Sequence, residues 1–316
     1  MKKISVCVPC YNEELNIDDC YKRITEVMSQ LLNYDYEIIF GDNDSTDKSQ
    51  SILRDLSKKD SHVKVILNAR NFGPSRNGKN ITYSATGDVI IGVPCDLQEP
   101  PEMIPVFIRF WEEGNLVVWG QKNKSKELWL KFLLRKLYYK IIKFFSPIPQ
   151  YENCTGFGCV DKIVVELMRS CEEKDMSPRH LIAELGIKVK LVSYVQEIRK
   201  KGKSSFNISR YFDFALLSLI TTSRVPLKIA TRIGLFSSIV SFLCGIVYFV
   251  YKILHWNSFV IGQAPLLIGM FFLGSVQLFF LGIVGEYIGL ILDKVTKRPL
   301  VVEKERIGFD NNLKHT

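Results

Sequence analysis

Histidine is scarce in this chain, at 4 of 316 residues, and no second CxxC accompanies Cys7-Val8-Pro9-Cys10. A structural zinc site takes four thiolate or imidazole ligands, usually from two such pairs, so the 8 cysteines do not read as a zinc module. A redox CxxC opens a helix after a strand, whereas Cys7 lies inside the apolar run ISVCVP, and free thiols are expected. No cleavable leader is expected either. After Lys2 and Lys3 the apolar stretch ends at Asn12, Glu13 and Glu14, and the long N-terminal part is expected to stay in the cytoplasm.

Charge is absent from Ile233 to Tyr251 and again from Ala264 to Gly285. Each run holds about 20 residues without amphipathic spacing, enough at about 1.5 Å per residue to cross roughly 30 Å of hydrocarbon. Two transmembrane helices in a hairpin are predicted, at 229–252 and 264–292. Arg224, Lys228 and Arg232 precede the first, and Lys294, Lys297 and Arg298 follow the second. The linker carries only Lys252 and His255, so both long ends are expected in the cytoplasm. Glu286, near that boundary, reads as a structural or packing residue.

The formal net charge is +9, and no nucleic-acid recognition motif accompanies it. Lys131, Arg135, Lys136, Lys140 and Lys143 instead alternate with Phe132, Leu133, Leu137, Ile141 and Phe144. That pattern predicts an interfacial helix at about 129–146, with apolar side chains in lipid and lysines among headgroups. A second interfacial helix is expected within 206–228. Between them, Arg199, Lys200, Lys201 and Lys203 surround Gly202. Such a loop suits a phosphate at headgroup level, or a plain basic anchor.

Over the first 120 residues short β-rich runs alternate with helical stretches, which predicts an α/β fold with a mostly parallel sheet. Strands are expected at 4–9, 36–41, 63–68, 88–93, 116–120 and, later, 187–193. Helices fit at 14–31, 46–58, 75–85 and 101–113, with Ser45 or Thr46 able to cap the second. Ligands bind such sheets beyond the carboxyl ends of the strands. There stand Pro9, Tyr11, Asn12 and Glu13; Asp42, Asn43 and Asp44; Arg70 and Asn71; Asp96 and Gln98. Carboxylates alone repel a diphosphate, so this rim predicts an anionic ligand with a divalent cation between.

The segments VPCYNEE (8–14), FGDNDSTD (40–47), ARNFG (69–73), ATGD (85–88), DLQEPPE (96–102), the basic loop, and GEYIG (285–289) ahead of KRPLVVEKE follow in order. Over nearly its whole length the chain thereby resembles the inverting family 2 glycosyltransferases of type-A, Rossmann-like fold. The resemblance is to the branch of dolichyl-phosphate mannose synthase and bacterial undecaprenyl-phosphate glucosyltransferases. It implies a cytoplasmic transferase domain over 1–205, a juxtamembrane helix over 206–228, the hairpin over 229–292 and a cytoplasmic tail over 293–316, in a bacterial cytoplasmic membrane. The implied reaction moves glucose, galactose or an N-acetylhexosamine from a UDP-sugar to undecaprenyl phosphate with inversion, making a lipid-linked sugar for the cell surface. The implied partners are the donor, the polyprenyl phosphate, the bilayer and a second copy of the chain through the membrane helices, with no nucleic acid.

By the same resemblance Pro9, Tyr11, Glu13 and Asp42 line the nucleoside pocket, with Arg70 on its rim. Asp96 and Gln98 would hold Mg²⁺ or Mn²⁺; Lys122, Arg199, Lys203 and Ser204 would clamp the acceptor phosphate; Asp96 and Arg199 would carry catalysis. In two places the chain departs from the pattern. The usual Asp-x-Asp reads Pro94-Cys95-Asp96, with Glu99 as a compensating carboxylate, and the Asp that relatives often carry within the segment at 153–161 is missing, with Thr155 and Gly156 there. A nucleotide-sugar-binding relative with little or no transferase activity is the alternative these departures leave. Gln196 and Arg199 share the spacing of the QxxRW motif of processive synthases, but Lys200 replaces its Trp.

Overall fold

The computed structural model describes residues 1–122, 151, 153–171, 177–197, separate positions between 232 and 254, 263–296 and 299–309. The chain divides into two compact units, one of residues 1–140, 148–207 and 299–316, the other of 141–147 and 208–298. The predicted interfacial helices at 129–146 and 206–228 lie outside the described residues.

In the first unit the strands are β1 (Lys2–Cys10), β2 (Tyr34–Asp42), β3 (Val63–Asn68), β4 (Val89–Gly92), β5 (Val117–Lys122), β6 (Cys154–Asp161), β7 (Lys190–Tyr194) and β8 (Glu303–Ile307). They form one sheet in the order β7-β5-β6-β4-β1-β2-β3-β8. β1 runs parallel to β2 and β4, β2 to β3, and β5 to β7, while β6 is antiparallel to β4 and β5 and β8 is antiparallel to β3. The mostly parallel α/β fold and every predicted strand are present, within a few residues at each end. The helices α1 (Ile17–Met28), α2 (Ser49–Lys59), α3 (Pro74–Ser84), α4 (Ile104–Glu112), α5 (Lys162–Ser170) and α6 (Pro178–Glu184) lie between them.

Both faces of the sheet are buried, as parallel sheets require. Ile4, Val6, Val8 and Cys10 of β1 pack with Ile17 and Ile24 of α1 and Phe107 of α4. Cys7 belongs to the opposite face, with Ile39, Ile66 and Ile81. Three residues of separation along a strand place Cys7 and Cys10 on opposite faces, so the CxxC spacing brings no pair together.

Two strands escaped the sequence reading. β6 threads between β4 and β5 at Gly158, φ 148°, where a Cβ would lie 2.1 Å from the Val118 carbonyl oxygen. Gly158, which permits this approach, and Gly156 beside it interrupt the apolar pattern that marks a strand. β8 has the charged sequence EKERI, usual for a sheet edge and silent in hydropathy. It makes part of the expected tail a member of the catalytic sheet, held by Arg54 to Glu305 at 2.7 Å and Asn80 to Glu303 at 2.8 Å. The predicted cap of α2 is also corrected. The helix begins at Ser49, whose amide donates to Asp47 Oδ1 at 2.9 Å, because Ser45 is engaged elsewhere.

In the second unit the later apolar run forms α7 (Gln263–Val295), 33 residues and thus about 50 Å long. Leu266, Met270, Leu278, Phe279, Ile288 and Ile291 along it are exposed. Phe236, Leu243, Ile246 and Val250 of the earlier run are helical and exposed too. Among the described residues no helix is long and apolar enough to cross a membrane.

One buried charge sits within the sheet. Glu37 accepts from Ser5 Oγ at 2.5 Å and from the Thr86 amide at 2.8 Å, and pairs with Lys64 at 2.6 Å and Lys3 at 3.2 Å. Burial opposes its ionisation, yet Lys64, Ser5 and Thr86 hold the carboxyl down to about 2. A depressed folded value stabilises above the unfolded value, and the contribution is lost as pH falls toward 2. A shift of this size is worth about 3 kcal/mol. Glu37→Gln should therefore lower unfolding stability by about 3 kcal/mol at neutral pH. In denaturant titrations the gap from wild type should shrink between pH 6 and pH 3, and a gap that stays constant would refute the electrostatic origin.

Candidate active site

The carboxyl ends of β1 and β2 are stitched to each other by short polar side chains. Asn12, at φ 55°, donates its amide to Ser45 Oγ at 2.8 Å and accepts the Thr46 amide on Oδ1 at 2.8 Å. The Glu13 amide donates to Ser49 Oγ at 3.0 Å, and its carboxylate takes Asn16 Nδ2 at 2.5 Å. Asp42 is fully buried, and its two oxygens receive the amide and hydroxyl of Ser45. Burial raises its carboxyl above the usual range and the Ser45 bonds pull it back. The structure thus brings Pro9, Tyr11, Glu13 and Asp42 to adjoining strand ends, with Tyr11 36% exposed as an aromatic face.

Arg70 follows β3 with its guanidinium 4.2 Å from the Phe72 ring. Beneath it lies a network of asparagines. Asn43 donates to Asn71 at 2.9 Å and accepts from Asn68 at 3.1 Å and the Phe72 amide at 3.0 Å. Asn68 also donates to Asn77 of α3 at 2.9 Å, and Asn77 donates to the Gly41 carbonyl at 2.7 Å. One buried network therefore fixes the ends of β2 and β3 and the start of α3. Sequence reasoning had singled out Asn43 and Asn71 but missed Asn68 and Asn77.

After β4 the chain reverses at Leu97, φ 56°, so that the Gln98 amide donates to Asp96 Oδ1 at 3.2 Å. Behind this turn the neighbouring Cys95 thiol and burial keep Cys20 well above its ordinary range, and Cys10 and burial do the same for Cys95 against an opposing effect of Cys20. Asp96 and Gln98 supply hard oxygens. No group of three or more His, Cys, Asp and Glu able to hold a metal occurs among the described residues. A sparse oxygen set fits Mg²⁺ or Mn²⁺, which keep water and lean on substrate phosphates.

Glu99 is only 3% exposed, and the sequence had offered it merely as a compensating carboxylate. It accepts Thr155 Oγ1 at 2.5 Å and Tyr194 Oη at 3.1 Å. Burial raises its carboxyl, opposed by Thr155 and by the charge of Lys122. Lys122 closes β5, opposite Tyr194 of β7. Beyond β7 the Glu197 amide donates to the Gln98 carbonyl at 2.9 Å, and Arg23 of α1 bridges Glu102 at 2.6 Å and Glu197 at 3.0 Å. The segment leading to the basic loop is thereby fastened to the Asp96–Glu102 turn. Arg199, Lys203 and Ser204 lie outside the described residues.

Residues 5–171 match the Glycosyl transferase family 2 profile. The chain belongs to that family. Residues 225–291 match a second profile, the GtrB C-terminal hairpin, which places this family 2 glycosyltransferase in the branch that the order of motifs pointed to. Its relatives run nearly end to end. A bactoprenol glucosyl transferase of Shigella phage SfV is 33% identical, over 96% of this chain and 98% of that one. An uncharacterized glycosyltransferase of Synechocystis sp. is 31% identical, over 98% and 96% respectively. Another from Bacillus subtilis, YkcC, is 32% identical, over 97% and 95%.

Within this glycosyltransferase Arg23 lies off the strand-end rim yet joins the two segments that meet at Gln98. Arg23→Gln should lower kcat/KM for sugar transfer about tenfold while affinity for the donor nucleotide stays within about twofold, the signature of lost positioning. Calorimetric nucleotide binding alongside a radiolabelled transfer assay reads both, and full transfer activity would remove the role.

Proposed function

We propose that the protein transfers a hexose from a uridine diphosphate sugar to the phosphate of a membrane polyprenol, with inversion, at the cytoplasmic face of a bacterial membrane. The observation that carries this reading is that likeness to bactoprenol glucosyl transferases runs through both units, at 33% identity over 96% of the chain. A second support is physical. α7 exposes large apolar side chains along its length, which costs free energy in water and little in lipid. The basic flanks support a cytoplasmic side for the transferase domain. The homo-oligomer expected through the membrane helices belongs to the same proposal.

The acceptor phosphate is already ionised near neutral pH, so its oxygen attacks the anomeric carbon without first losing a proton. The new C–O bond forms as the bond to the donor diphosphate breaks, and UDP leaves with the electron pair. The chain's residues have then to align the two substrates and offset charge on the leaving group. Tyr11, Glu13, Asp42 and Arg70 would hold the nucleoside, and Asp96 and Gln98 would hold the divalent cation. When bound, that cation neutralises the diphosphate. Lys122 with Arg199, Lys203 and Ser204 would gather the acceptor phosphate, cations being the complement to its charge.

Full-length protein in detergent, given undecaprenyl phosphate and UDP-glucose, UDP-galactose or UDP-N-acetylglucosamine with and without Mn²⁺, should form a lipid-linked sugar from one donor in the presence of metal. Asp96→Asn should lower that rate by at least about 100-fold with membrane insertion unchanged. Nucleotide binding with no lipid product from any donor would overturn the transfer reading, and most of the activity surviving in Asp96→Asn would overturn the metal assignment.

A further inference from the structure

Glu99 carries an oxygen that the fold leaves unserved. The residue is buried, only 3% exposed. Thr155 and Tyr194 both donate to Oε1, while Oε2 has no hydrogen-bond partner among the described residues. A buried carboxylate oxygen without a donor costs stability, and such a cost is retained where a ligand supplies the missing bond.

The order of the strands says which part of a ligand that would be. From one side of the rim come β3, β2 and β1 with Arg70, Asp42, Glu13 and Tyr11; β4 follows with Asp96; then β6, β5 and β7. A nucleoside diphosphate sugar is connected in the same order, nucleoside, diphosphate, sugar. With the nucleoside on β1–β3 and the diphosphate at Asp96, as the proposed function has it, the sugar falls on the far side. Glu99 is anchored there, on Thr155 of β6 and Tyr194 of β7, with Lys122 of β5 in register with Tyr194.

We propose that Glu99 is a specificity-determining residue whose free Oε2 accepts a hydroxyl of the transferred sugar. A neutral O–H donor satisfies the oxygen without bringing further charge beside Lys122. A site that must bond a hydroxyl also rejects a sugar lacking it, because the carboxylate is then left closed in and unpaired. The inference rests on the donor reading above but not on the identity of the acceptor.

Its test needs no acceptor. Binding of UDP, UDP-glucose, UDP-galactose and UDP-N-acetylglucosamine to the full-length protein with Mn²⁺ is measured by calorimetry in wild type and Glu99→Gln. The variant should bind UDP within about twofold of wild type and lose about tenfold for the sugar nucleotide that wild type holds tightest. Unchanged sugar-nucleotide affinity would overturn the proposal, and so would an equal loss for UDP itself, which would make Glu99 a residue of the nucleotide or cation. Should Glu99→Gln not fold, wild type alone decides. One monodeoxy analogue of its preferred donor should bind at least about tenfold more weakly, and a series bound within threefold throughout would sink the idea. Absence of transfer to undecaprenyl phosphate would count against the acceptor reading alone.

Discussion

The rim depends on the buried amide network centred on Asn43. Loops that follow parallel strands have no ladder of their own, and each backbone group they bury must find a partner. Here the Asn43 amide donates to the Cys10 carbonyl while its side chain holds Asn68, Asn71 and the Phe72 amide. Three strand ends and the first turn of α3 are consequently fixed by amides that carry no charge. That neutrality matters beside carboxylates: the loops are positioned without adding to the negative potential of Glu13, Asp42 and Asp96.

The other half of the rim is organised differently. Between β4 and β7 the ties are ionic or charge-assisted, through Arg23 with Glu102 and Glu197 and through Glu99 with Thr155 and Tyr194. Such ties are worth more when closed from water and cost more when broken. In the proposed reaction this division would set the nucleotide on one side and, on the other, the groups that meet a sugar and a phosphate.

Much of this was legible in the sequence because a parallel sheet buried on both faces writes itself as apolar runs, and a polar residue directly after such a run lands on the rim. Glu13, Asp42, Arg70 and Asp96 were read to the rim that way. The same rule could not see Asn68 or Asn77, polar residues at a strand's last position and within a helix, whose partners lie on other elements. Nor could spacing link Glu99 to Thr155 and Tyr194, 56 and 95 residues away. β6 and β8 hid for the reasons their positions demand, glycine where backbones crowd and charge where an edge faces water.

The place of β8 in the sheet also sets a temporal order. Residues 303–307 pair with β3, whose own sequence ends at Asn68. A chain made from its N-terminus must therefore carry the outer edge of β3 unpaired until everything through Ile307, α7 included, has left the ribosome. Such an edge invites pairing with a foreign strand for the whole of that interval. Completion of the catalytic sheet thus reports that the apolar helices before it have been synthesised, so a chain cut short within them leaves a sheet with an open flank.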